Sequence, residues 1–127
     1  MIDKRELSLY NWVNTPAGAE MVVGFSAKSS EITTYNGHRD TGWCQPKLTP
    51  IPITPEFLEK NNFQRIEAAN GKMVDWESVR ICVRKYEDES YYRLFVDGTG
   101  MKLPKLTSVH SLQNALRLAG VKRVIQV

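Results

Sequence analysis

Cysteine and histidine are scarce in this chain of 127 residues, with two of each, and no uncharged apolar stretch approaches membrane-spanning length. Cys44 and Cys82 lie in separate segments, so reduced thiols are expected, which excludes the small disulfide-stapled folds. His38, Cys44, Cys82 and His110 lack the closely spaced ligand pairs of a structural zinc site, and neither metal nor cofactor is expected. No signature of a nucleophile with its base surrounds Cys44 and His110, or His38 and Asp40, so the chain reads as a non-enzyme. Its opening residues, Met1-Ile2-Asp3-Lys4-Arg5-Glu6, carry charge where a secretory leader needs an apolar core, and no asparagine begins a glycosylation triplet. A cytoplasmic location and no membrane partner are the resulting expectations.

What is present belongs to a folding chain. Hydrophobic residues make up 42% and charged residues 24%, a balance that can bury a core and differs from the charge-rich composition of disordered segments. The length suits a single domain, 1–127. A net charge of +3 favours anionic surfaces weakly and falls short of a dedicated polyanion binder.

Short β segments fill the first part of the chain: Leu9 to Val13, Glu20 to Phe25, Glu31 to Tyr35 and a piece around Trp43. Thr15-Pro16-Ala17-Gly18 and Asn36-Gly37 supply the turns, and this spacing predicts a β-rich, SH3-like lobe over 1–49. Prolines at 46, 50 and 52 make 46–53 an extended connector. A short helix then follows, with Thr54 as N-cap, Pro55 in the first turn, Ile53 and Leu58 at staple spacing, and Asn61-Asn62 as the stop.

The lobe over 54–127 continues with strand-like pieces at Phe63 to Glu67, Lys72 to Trp76, Val79 to Tyr86, Tyr91 to Asp97 and Met101 to Leu106. Asn70-Gly71 favours a type I′ hairpin, and loops this short require antiparallel pairing. Val109, Leu112, Leu116 and Ala119 recur at helical spacing between Thr107-Ser108 and Gly120, which predicts a C-terminal helix covering the meander. An edge strand is expected at Val124 to Val127. The fold class is therefore α+β: a β-rich lobe, a short helix, and an antiparallel meander covered by a last helix.

Three segments carry a resemblance: Tyr10-Asn11-Trp12-Val13, Pro50-Ile51-Pro52-Ile53-Thr54-Pro55-Glu56-Phe57-Leu58-Glu59-Lys60-Asn61-Asn62-Phe63 and Val109-His110-Ser111-Leu112-Gln113-Asn114. In order and spacing they resemble a family of small uncharacterised proteins of Bacteroides-type phages and mobile elements, whose members read Gly-Asn-Tyr/Trp-Val, Pro-Ile-Pro-Leu-Thr-Glu-Glu-Trp-Leu and Val-His-Gln-Leu-Gln-Asn. The sequence departs from that pattern at Tyr10, where glycine is usual, and over Leu116 to Val127, where an aromatic ending is replaced and extended. The resemblance implies a phage-like background and carries no established activity.

Two surfaces are candidates. His110, Gln113, Asn114 and Arg117 stand at offsets of three, four and seven, so they share the polar side of the last helix, where an imidazole, two amides and a guanidinium suit a peptide backbone, a carboxylate or a phosphate. The bland reading is that His110 and Asn114 fix the helix on its sheet. Arg80, Arg84, Arg93 and Tyr91 form the alternative, with Tyr86 and Phe95 as further rings, a basic and aromatic face suited to nucleic acid and opposed by the acidic Glu87-Asp88-Glu89 loop. Asp75 and Glu77 flank Trp76 and point the same way on a strand, which reads as solvated surface. A non-catalytic accessory or adaptor protein acting through protein contacts is the leading expectation, with nucleic-acid binding as the alternative.

Overall fold

Period-two alternation shapes most of the chain, and the computed structural model, which describes residues 2–98 and 104–127, resolves it into two antiparallel sheets. The first contains β1 (Trp12–Thr15), β2 (Gly18–Phe25), β3 (Ile32–Tyr35) and β4 (Asp40–Trp43) in sequential order. The second contains β5 (Gln64–Glu67), β6 (Met73–Ser78), β7 (Ile81–Tyr86) and β8 (Tyr92–Val96), again sequential. With the helices α1 (Pro55–Lys60) and α2 (Val109–Leu118) the fold is α+β. The residues group into two compact units, one running to Pro52 and including Ser108–His110, the other comprising Ile53–Thr107 and Ser111–Val127.

In the first unit a 3-10 turn at Gln45–Lys47 follows β4, and Thr49 then bridges antiparallel to Asn14 on β1. The resulting neighbour order is Thr49 beside β1 and then β2, β3 and β4. Its core holds Ile2, Leu7, Val13, Val22, Ile32 and Leu48, with Trp43 packed against them. Strand β1 starts later than the sequence suggests, because Leu9 and Tyr10 form a turn in which Tyr10 takes φ 72. That backbone region favours glycine.

The second unit opens with α1, whose capping matches its sequence. Thr54 Oγ1 accepts from Phe57 N at 3.1 Å, and the stop falls on Asn62 at φ 66. Asn62 N then donates to Glu59 O and Phe63 N to Leu58 O, which satisfies the last carbonyls of the helix. Trp76, Ile81, Val83, Leu94 and Val96 are buried on one face of the sheet. The aliphatic positions Leu112 and Leu116 of α2 are buried in the same unit, and Gly120 closes the helix with φ 75.

Three local expectations are corrected. The β5–β6 connection is not a type I′ turn: Gly71 N donates to Ala68 O at 3.0 Å, and Gly71 alone, without Asn70, has positive φ. Asn70 instead accepts from Lys72 N through its own side chain. Strand β7 begins at Ile81, since Val79 and Arg80 form the β6–β7 turn with Arg80 at φ 64. The tail from Val124 to Val127 is not a strand; a side chain holds it instead. Asn61 Oδ1 accepts from Gln126 N at 2.8 Å, and Asn61 Nδ2 donates to Gln126 O at 2.7 Å, so one amide group pairs with the tail as a neighbouring strand would. The expected strand from Met101 to Leu106 lies largely outside the described residues; within them, Leu106 bridges antiparallel to Tyr92.

Candidate interaction face

Strand pairing in the second sheet aligns Ile66, Asp75, Arg84 and Arg93 in one row and Glu77, Cys82 and Phe95 in the next, all on the face opposite Trp76 and Val83. Arg84 and Arg93 are direct cross-strand partners, an arrangement that repels unless each charge is compensated. Each has its own carboxylate. Arg84 donates to both Asp75 oxygens, Nε at 2.8 Å and Nη2 at 3.2 Å, while Arg93 forks onto Glu89 at 3.0 and 2.7 Å. The Arg93 fork, followed by the Tyr91 hydroxyl, pulls the Glu89 carboxyl down to about 2, so it stays ionised throughout the neutral range. Arg84 is shifted further up, chiefly by its bond to Asp75.

The guanidiniums also sit against rings. Arg84 lies 4.8 Å from the Phe95 centroid and 5.9 Å from that of Tyr86; Arg93 lies 5.8 Å from Tyr86 and 5.3 Å from Tyr91; Lys105 lies 4.5 Å from Tyr91. The result is a ladder in which rings and cations alternate from Phe95 to Lys105. Contacts of this kind are worth about 0.5–1 kcal/mol at exposed sites. Phe95 and Ile66 remain 46% and 44% exposed, so the face keeps an uncovered apolar component.

Of the basic and aromatic set read from the sequence, Arg84, Arg93 and Tyr91 converge here and Arg80 does not. A single φ in the left-handed region places Arg80 in a turn and takes it out of the strand alternation. Tyr86 and Phe95, the other two rings of that set, converge here as well, and Ile66 and Lys105 complete the face. Register could have announced Ile66, because it pairs directly with Asp75 of the outer row.

The helix set fares differently, and its shared solvent-facing side is corrected. His110 is buried at 4% exposure, with Ser108 Oγ 3.1 Å from Nδ1 and Glu6 Oε2 3.8 Å from Nε2. Burial pushes its pKa below the usual value, with Glu6 acting in the opposite direction. Gln113 and Asn114 are half-buried and Arg117 is exposed, and all three are engaged with partners. With His110 buried and Arg117 exposed, helical spacing alone does not put these four on one solvent-facing surface.

Asp75, Glu77 and Cys82 bring their ligand atoms within 4.8 Å of one another, a grouping with the composition of a metal-binding trio. Asp75 is already committed to Arg84, and burial followed by the Asp75 charge pushes the Cys82 thiol up to about 11, which keeps it protonated and a weak ligand or nucleophile at neutral pH. Cys44 is exposed beside a 3-10 turn, and His38 lies in the β3–β4 turn.

Another feature lay outside the sequence reading. Glu20 is buried in the first unit at 3% exposure, where Thr34 Oγ1 donates to Oε1 at 2.7 Å and Thr15 Oγ1 lies 3.3 Å from Oε2; Trp43 Nε1 donates in turn to Thr34 Oγ1 at 2.8 Å. Its signal was parity, since Glu20 and Val22 occupy the same side of β2.

The chain matches no known family model, no curated protein and no solved structure. What fold and face define is an α+β protein of two antiparallel sheets whose second sheet presents a charge-compensated ladder of rings and guanidiniums. Among the described residues no helix is long and apolar enough to cross a membrane.

Proposed function

We propose that this protein is a non-catalytic cytoplasmic adaptor that binds a partner protein through the outer face of β5–β8. The observation that carries this reading is the combination of half-exposed Phe95 and Ile66 with guanidiniums already neutralised by Asp75 and Glu89. Aromatic residues and arginine are enriched at protein interfaces, whereas free lysine and carboxylate charge is depleted at their centres. The partner suited to such a face offers aliphatic side chains to cover the two apolar residues, and carbonyl oxygens for the outer guanidinium hydrogens. The sequence resemblance to small proteins of Bacteroides-type phages and mobile elements supports assigning the adaptor to such an element.

Nucleic acid is the competing ligand, because Arg84, Arg93 and Tyr91 do converge. Phosphate must there displace two forked carboxylates, which disfavours it. The test uses the full chain and a Phe95→Ala variant as bait in lysate, with any captured protein purified and its affinity measured directly. A partner that binds wild type and loses about tenfold or more on Phe95→Ala, equivalent to about 1.4 kcal/mol, is expected. Absence of any Phe95-dependent partner, together with salt-sensitive binding of a short labelled single-stranded DNA that Arg84→Ala and Arg93→Ala abolish, overturns the reading.

A further inference from the structure

The second unit contains a concave site apart from the outer face, with a volume of about 590 Å3, where the β6–β7 turn, the end of β8 and the segment after α2 meet. Its walls include Val79, Val96, Ala119 and Val121, and its charged groups are Arg80, Lys122, Arg123 and Asp97. That volume falls in the range of small-ligand sites.

The cations there are not equivalent. Arg123 is committed internally: Nη1 donates to Ser78 Oγ at 2.6 Å, Nη2 donates to Asn61 O, and the guanidinium sits 4.8 Å from the Phe63 ring centroid. Arg80 and Lys122 are both exposed, and among the described residues neither side chain has an ion pair or hydrogen bond. This contrasts with Arg5, Arg65, Arg84 and Arg93, each of which holds a carboxylate. Among the described lining residues Asp97 is the one carboxylate, so the described lining retains a positive balance.

Backbone conformation adds a second observation. Arg80 is held at φ 64, a left-handed backbone that disfavours any side-chain-bearing residue relative to glycine. The turn's geometry calls for glycine or asparagine, and arginine stands there. Its carbonyl accepts from Asp97 N at 2.9 Å, which fixes the turn against the end of β8. Strained residues of this kind concentrate at ligand-binding positions. Beside it Val79 is 83% exposed, an aliphatic side chain left in water at the same rim.

We propose that this cavity binds an aliphatic carboxylate, with Arg80 and Lys122 holding the carboxylate and Val79, Val96 and Val121 covering the hydrocarbon. A peptide C-terminus ending in a small aliphatic residue and a free short-chain acid share this chemistry. The proposal is independent of the adaptor reading, since it uses none of the ladder residues.

The experiment titrates full-length 15N-labelled protein with N-acetyl-Val-Val, its C-terminal amide, hexanoate and inorganic phosphate, following backbone amide shifts. Shifts at Arg80, Val96 and Lys122 are expected with N-acetyl-Val-Val and about tenfold weaker binding with the amide, which supports a peptide terminus as the source. Equal binding of hexanoate supports the free acid instead. Arg80→Gly is the decisive variant, because glycine relieves the left-handed backbone: it is expected to melt no lower than wild type and to lose about tenfold in affinity, as is Lys122→Ala. Absence of shifts with either carboxylate, equal binding of the amide, phosphate binding as tight as the carboxylates, or unchanged affinity in both variants overturns the proposal.

Discussion

His110 shows how burial redirects a residue whose sequence position suggests display. A protonated imidazole at this depth gives up water that Glu6, 3.8 Å away and largely exposed, replaces only in part, so the folded-state pKa lies below the ordinary 6.5. The direction of the linkage follows. Above about pH 6.5 the ring is neutral in folded and unfolded chains alike, and its contribution to stability is complete. As pH falls below that value the unfolded chain takes up the proton first, and stability is lost progressively until the folded pKa is passed. Urea midpoints measured at about pH 7.5 and about pH 5.5 should therefore show a drop in wild type that shrinks in His110→Gln. An identical drop in both proteins would assign the acid sensitivity to other groups. Glu20 carries the same lesson without a titration argument: hydroxyls from Thr34 and Thr15 bond a carboxylate that the strand parity turns inward.

At the scale of elements, what the sequence announces best is chemistry confined to a few neighbouring residues. Thr54, Pro55 and Asn62 set both ends of α1, and Leu116 and Gly120 set the end of α2, because caps depend on local donors and on one left-handed residue. Turns were less legible: Asn70-Gly71 satisfies several loop geometries, and the longer one from Ala68 won. The tail was misread because its partner is a side chain 65 residues away, a pairing that no periodicity encodes. Asn61 joins these cases, since its amide nitrogen also donates to Phe57 O at 2.9 Å while the same group holds Gln126. Asn61→Ala should lower stability by about 1–3 kcal/mol, the cost of leaving buried partners unbonded. Hydrogen exchange distinguishes this from general weakening. The Gln126 amide should lose protection while Val83, in the centre of the sheet, keeps most of its own; protection retained at Gln126 would show that the tail is held by other contacts.

For the whole molecule, the charge is unevenly shared. The first unit has five basic and five acidic residues, the second twelve and nine, so the entire excess of +3 falls in the second. That asymmetry is visible in the sequence only once the unit boundary is known, and it makes the second unit look like a polyanion binder. Side-chain geometry argues otherwise, since Arg65, Arg84 and Arg93 each spend their charge on a carboxylate of the same unit. Counterion release scales with the number of phosphates neutralised, with a slope in log K against log salt of about −0.7 per phosphate for single strands. If Arg84 and Arg93 keep their carboxylates, few cations remain to contribute, and single-stranded DNA should bind with a slope no steeper than about −1.5. Fluorescence anisotropy from about 50 to 200 mM salt measures it. A slope of about −3 or steeper in wild type, changed only slightly by Glu89→Gln or Asp75→Asn, would mean that phosphate opens both forks. In that event the ladder of rings would serve as a stacking platform for bases and not as a protein interface.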